Sequence, residues 1–187
     1  MLTDPVDALT QIASKLNELG APYMVTGSVA GLFYGRERST VDVDIVIDMH
    51  RTMPESLVEA LGPEYFLDIE MVRESLPIED MFNALPMMGG PKIDLIPLKS
   101  EPFEQLKFER RITLDWHGTP VSVIRAVDLA LSKLQWAKIS LSERQLADVR
   151  GIMSFEGVVE DDYFRRWVER LGLEELLDAS RAVGYDA

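Results

Sequence analysis

The stretch that most limits what this chain can fold into is Val25 to Asp48, VTGSVAGLFYGRERSTVDVDIVID. Its second half, Thr40 to Ile47, alternates and is rich in valine and isoleucine, which specifies a strand with one dry face and one polar face. Side chains two apart on a strand point the same way, so Asp42 and Asp44 stand side by side. In the first half, Gly27, Gly31 and Gly35 fall four apart. That spacing lines one side of a helix and lets it approach a sheet closely. A polar Arg-Glu-Arg-Ser-Thr loop joins the two halves.

The flanking sequence supplies the rest of a mixed α/β core. Residues 4 to 19 read as an amphipathic helix capped by Asp4, with Pro5 at its first position, an apolar repeat from Val6 to Leu19, and Gly20 as its stop. A short apolar strand, Tyr23 to Val25, follows. Pro54 to Leu61 reads as a short helix and Tyr65 to Val72 as a strand, while Arg73 to Gly90 carries only loop signals. Lys92 to Leu98, KIDLIPL, resumes as a strand with Ile93 and Leu95 on one face and Asp94 and Ile96 on the other. Arg111 to Trp116 and Val121 to Ile124 flank a glycine-containing turn and read as a hairpin.

Beyond Arg125 the period becomes helical. Ala126 to Ile139, Ser142 to Met153, Asp161 to Leu171 and Leu173 to Ala182 are four expected helices, and Ser142 with Gln145 resembles a capping box. The expected division is a core over residues 1–124 and a C-terminal helical subdomain over 125–187. Trp116, Trp136 and Trp167 are expected to pack in the core, His50 and His117 to be exposed, and Asp48 to be a strand-end surface residue.

Composition narrows the chemistry. The chain has no cysteine and two histidines, which excludes disulfides, thiolate zinc sites and cysteine nucleophiles and leaves histidine-based sites poorly supplied. Any catalysis must rest on carboxylates, hydroxyls, Lys and Arg. A formal charge of -13 argues against bulk nucleic-acid binding, which depends on Lys and Arg displacing counterions. No apolar run reaches the ~20 residues of a membrane span and the N-terminus lacks signal-peptide character, so a cytoplasmic location is expected.

Within those bounds one constellation carries chemistry. Two adjacent carboxylates resist joint ionisation unless a cation sits between them, and oxygen-only ligands suit Mg²⁺ or Mn²⁺. The plainer reading of a lone Asp-x-Asp is a solvated strand face. Three further features weigh against it. Gly27 and Ser28 follow a strand and start a helix, where backbone amides and a hydroxyl can hold phosphate. Asp94 stands on a separate strand, facing away from its apolar neighbours. Arg36 and Arg38 lie between the turn and the acid pair, placed to neutralise a triphosphate. Neither G-x-G-x-x-G nor a P-loop pattern occurs.

In combination, Gly27-Ser28, Asp42-Val43-Asp44 and Asp94 resemble the nucleotidyltransferase superfamily that shares the DNA polymerase β palm. The segment RERSTVDVDIVID is similar to the small bacterial AbiEii-type and minimal nucleotidyltransferases, some of which are toxins of toxin-antitoxin pairs. There is also likeness to aminoglycoside and lincosamide nucleotidyltransferases. The motif-bearing part spans residues 23–98. A second, softer match lies in the tail, where Asp128, Lys133, Arg144 and Asp148 resemble a later AbiEii-type motif.

The resemblance implies a polymerase β-like α/β (α+β) core with a mixed sheet and a following helical region. It implies that Gly27 and Ser28 bind the triphosphate, that Asp42 and Asp44 bridge two divalent ions, and that Asp94 holds the ion activating the acceptor hydroxyl. Lys133 would reach the phosphates. The implied activity is transfer of a nucleoside monophosphate from an NTP with release of pyrophosphate, Mg²⁺ (or Mn²⁺) being the cofactor. The acceptor is left open among a small molecule, a protein and a tRNA end, and a cognate antitoxin is the implied partner if the chain is a toxin. The rival expectation is a degenerate member that keeps the fold as a binding or regulatory module.

Overall fold

The computed structural model describes residues 4–36 and 42–182. In chain order the elements are α1 (Pro5–Leu19), β1 (Tyr23–Thr26), α2 (Gly27–Ala30), β2 (Asp42–Ile47), α3 (Pro54–Leu61), β3 (Tyr65–Phe66), α4 (Ile69–Ser75), β4 (Phe82–Pro86), β5 (Lys92–Pro97), α5 (Pro102–Glu109), β6 (Ile112–Trp116), β7 (Thr119–Val123), α6 (Ala126–Ser140), α7 (Glu143–Met153), α8 (Asp162–Leu171) and α9 (Glu174–Ala182). They form two compact units, one of Met1–Val29 with Ser39–Ile124 and one of Ala30–Arg38 with Arg125–Ala187. No helix among the described residues is long and apolar enough to cross a membrane.

The first unit is built on a seven-stranded mixed sheet of order β3-β4-β5-β2-β1-β7-β6. β2 runs parallel to β5 and β1 parallel to β7, and the other pairs are antiparallel. Register places Val43, Ile45, Ile93 and Leu95 on one face, and all four are fully buried. α1 packs against α3, β2 and β7 through Leu9, Ile12 and Leu16. Its start and stop follow the sequence signals. Asp4 accepts from the Val6 amide at 2.9 Å, and Gly20 takes a left-handed φ of 71° that most side chains resist.

The second unit centres on α6, buried along much of its surface, with α7, α8 and α9 around it. Leu129, Leu131, Leu134, Val149, Ile152 and Phe164 form its core. A 3-10 turn, Gly31–Tyr34, packs against α6 and α7. The buried carboxyl of Asp128 accepts a hydrogen bond from the Tyr163 hydroxyl, which meets the requirement that a buried polar group be satisfied.

Several expectations are corrected. The strand expected over Tyr65 to Val72 is two residues long, and α4 begins at Ile69. Asp68 caps that helix by accepting from the Glu70 amide at 2.9 Å, so cap and helical period override β-branched content. The expected loop Arg73 to Gly90 contains β4, whose Phe82 and Ala84 pair with Leu95 and Ile93. The glycine-spaced helix is two short pieces rather than one, broken where Gly31 opens the 3-10 turn. Ser142 makes no side-chain cap: the Gln145 backbone amide donates to the Ser142 carbonyl oxygen at 3.1 Å, and the Gln145 side-chain oxygen accepts from Lys133. Asp48 is buried, accepting from the His50 amide at 3.1 Å, and Trp136 is 61% exposed rather than packed.

Candidate active site

The chemistry-bearing face of the sheet is the one opposite Val43 and Ile45. Register sets Thr26, Asp44, Asp94 and Asn83 in a row across β1, β2, β5 and β4, with Asp42 and Lys92 paired one step along. Asp42 and Asp44 are half-buried and Asp94 is buried. Three carboxylates therefore share one face with a single lysine.

Asp94 is the most constrained of them. Its Oδ1 accepts from Asn83 Nδ2 at 2.5 Å and from the Lys92 ammonium at 3.0 Å. The hydrogen bond to Asp94 holds the Lys92 ammonium above its ordinary value, helped by the charges of Asp94, Asp42 and Asp44 and opposed by partial desolvation. Asp44 is confined from the other side. Gly27 has a φ of 65°, and a methyl group added there would overlap the Asp44 carboxylate. Only glycine both takes that backbone conformation and leaves room for the acid.

The sequence-predicted residues of this unit, Gly27, Ser28, Asp42, Asp44 and Asp94, thus lie on or beside one sheet face. Their oxygen-only donor set fits a hard divalent cation. Among the described residues, however, the three carboxylates are not gathered into a three-ligand group, and Asp94 is bonded to Asn83 and Lys92.

The second unit carries a different cluster. Lys133 on α6 donates to Asp148 Oδ2 on α7 at 2.7 Å and to Gln145 Oε1 at 3.3 Å. Arg36 Nη2 reaches the other oxygen, Asp148 Oδ1, at 3.2 Å. Lys133 and Asp148 are buried. Arg36 lies over Gly151, where any side chain would overlap it, and among the described residues its buried Nε has no hydrogen-bond partner. Arg144 is exposed, and Arg38 lies outside the described residues.

Sequence reasoning missed Asn83, because the strand carrying it shows no local signal. It counted Lys92 only among the residues of a local basic groove with Arg36, Arg38 and Lys133, although a lysine two residues before an acid on a strand must share its face.

No family model matches the sequence, and no curated protein matches it. Solved structures do match, over nearly the whole chain. An antigenic nucleotidyltransferase-like protein from Paracoccidioides brasiliensis is 19% identical, with 97% of this chain and 94% of that chain covered and a TM-score of 0.55. The protein ANT(2")-Ia in complex with adenylyl-2"-tobramycin is 16% identical, covering 95% of this chain and 97% of its own, at a TM-score of 0.51. A solution structure of the antibiotic-resistance factor ANT(2'')-Ia is 14% identical, covering 95% and 91%, at 0.54. At such identities the likeness is one of fold, and the fold of this chain is that of nucleotidyltransferase-like proteins.

Proposed function

We propose that this protein is a Mg²⁺-dependent nucleotidyltransferase acting in the cytoplasm, which moves a nucleoside monophosphate from an NTP to an acceptor hydroxyl. The observation that carries this reading is the register pairing of Asp44 with Asp94, with Asp42 beside them and the Gly27-Ser28 turn against Asp44. Asp42, Asp44 and Asp94 would hold Mg²⁺ or Mn²⁺, which when bound stabilises charge on the attacking and leaving oxygens of an in-line displacement. Asp94 would accept the proton of the acceptor hydroxyl as its oxygen attacks the α-phosphorus. The bond from that phosphorus to the bridging oxygen breaks, and pyrophosphate leaves. Gly27 and Ser28 would hold phosphate oxygens through backbone amides and the hydroxyl, whereas Lys133 and Arg36 of the second unit are engaged with Asp148.

A small hydroxylated acceptor is favoured over a protein or a tRNA end. ANT(2")-Ia is seen with an adenylyl group joined to tobramycin, and a chain of formal charge -13 is poorly suited to a nucleic-acid acceptor. A toxin role with a cognate antitoxin rests on the RERSTVDVDIVID resemblance alone. The second reading, a catalytically degenerate binding module, is favoured by one observation, the engagement of Asp94 with Asn83 and Lys92.

The test is calorimetry of each NTP with Mg²⁺ or Mn²⁺, followed by transfer of labelled nucleotide to small hydroxylated molecules. Binding that Asp42→Asn removes, with label appearing on an acceptor, supports the enzyme. Absence of NTP binding, with Asp42→Asn changing nothing, sinks it. Metal-dependent binding without transfer to any acceptor leaves the binding module.

A further inference from the structure

Lys92 is the charged residue of the acidic face that the proposed reaction does not use. It projects from β5, bonds Asp94 at 3.0 Å, and is register-paired with Asp42. Its side chain is 37% exposed while that of Asp94 is 8% exposed. The ammonium is therefore the open member of the pair, on a flexible four-carbon stem. It also lies in the field of Asp44 as well as Asp42. By position and charge, it would compete with a divalent cation for the carboxylates that the proposed reaction assigns to the metal.

Resting on the nucleotidyltransferase reading, we propose that Lys92 is a built-in counter-ion of the metal site, held on Asp94 when no metal is bound and displaced from it when a divalent cation enters. Neighbouring carboxylates repel one another, and a tethered ammonium relieves that repulsion without a metal. The same ammonium opposes a second cation at the same oxygens. The exchange moves no proton, because Lys92 keeps its charge and changes only its partner. Asn83, an uncharged donor, keeps its hydrogen bond to Asp94 throughout.

The consequence is an order of loading. A metal ion alone meets an occupied carboxylate and binds weakly. A metal ion arriving with a nucleotide brings phosphate oxygens that complete its coordination, and these also offer the displaced ammonium a new anionic partner. Lys92 thereby couples metal occupancy to the presence of NTP.

The test is a Mn²⁺ titration of the full chain by electron paramagnetic resonance, after chelation. Wild type, Lys92→Met, Lys92→Gln, Lys92→Arg and Asp42→Asn are compared, with and without a non-hydrolysable NTP analogue. Removing the charge is expected to tighten binding of Mn²⁺ alone by about tenfold or more, in the Gln variant as in the Met variant. Lys92→Arg should stay near wild type. The analogue should improve Mn²⁺ affinity more in wild type than in Lys92→Met. Thermal melts of the metal-free proteins should place Lys92→Met below wild type, with a larger recovery on adding Mn²⁺. If wild type binds Mn²⁺ through Asp42 but Lys92→Met and Lys92→Gln bind it no tighter, Lys92 is not a competing cation and the nucleotidyltransferase reading stands. If no variant binds Mn²⁺ with or without the analogue, that reading fails and the inference falls with it.

Discussion

The two charge clusters of this chain are built on opposite plans. On the sheet, three carboxylates from two neighbouring strands share a face with one lysine, and that lysine is partly open to solvent. In the helical unit, two cations converge on one carboxylate, and the Lys133 and Asp148 side chains are only 6% and 4% exposed. A half-open cluster can exchange partners at little cost. A closed one cannot, because each ion removed leaves another buried without compensation. The comparison teaches that the sheet cluster keeps an ion pair that can open, and that the helical cluster braces the helices it joins.

The sharpest way to break that contrast is to neutralise one acid in each unit. On the proposed reading, Asp44→Asn should abolish nucleotidyl transfer, on the order of a thousandfold or more, because a carboxylate assigned to the metal is lost. Its melting temperature should not fall, since a like charge is removed from an acidic face. Asp148→Ala should do the reverse to stability, lowering it by about 3–5 kcal/mol by stranding Lys133 and Arg36. Chemical denaturation of both variants beside a transfer assay reads the two effects separately. A stable Asp148→Ala protein would show that the helical cluster is not a brace.

The same contrast explains what the sequence made legible. The face bearing Asp42, Asp44 and Asp94 was readable because strand alternation is a local property, and each acid lies among alternating valine, isoleucine and leucine. The α1 caps and the C-terminal helices were readable for the same reason, their periods and end signals being written within each segment. β4 was not, because Phe82 to Pro86 becomes a strand by pairing with β5, and no local pattern announces a partner chosen by tertiary contact. That one gap hid Asn83, and with it the hydrogen bond that anchors Asp94. Lys133 and Asp148 were readable as residues of amphipathic helices but not as a buried pair, since the packing of α6 on α7 sets their burial.

Two glycines sharpen the comparison at a smaller scale. Each lies against a charged side chain of its own unit, Gly27 against Asp44 and Gly151 against Arg36. Gly27→Ala forces a left-handed backbone onto a residue with a Cβ and drives that Cβ into a carboxylate. It should cost about 1–3 kcal/mol and weaken metal binding together with it. Gly151→Ala sits inside α7, where alanine gains up to about 1 kcal/mol of helix propensity. The group it meets is the middle of a long, partly exposed arginine side chain, which can move. Its net effect on stability should be within about 1 kcal/mol of zero. Urea denaturation of the two alanine variants tests this, and equal losses would mean that Arg36 is as fixed as Asp44.

Titration at high pH compares one buried tyrosine of each unit, Tyr65 and Tyr34. Tyr65 of the sheet unit donates to Gln11 Oε1 at 2.7 Å and is pushed up to about 12, first by burial and then by the charge of Glu64. Tyr34 of the helical unit is also pushed up to about 12, first by burial, with Arg125 opposing and Asp128 adding to the rise. In the unfolded chain a tyrosine ionises near about 10. A pKa raised on folding means that the folded state holds the proton more tightly, so the stability contributed is complete below about pH 10 and is lost as the pH rises towards 12. Absorbance of tyrosinate should therefore lag for both residues until the protein unfolds or the pH nears 12. Tyr34→Phe and Tyr65→Phe should each remove one late-ionising group and flatten the loss of melting temperature between pH 10 and 12. If Tyr34→Phe instead removes absorbance that develops near pH 10, that hydroxyl is open to solvent and the helical unit is less closed than its ion cluster requires.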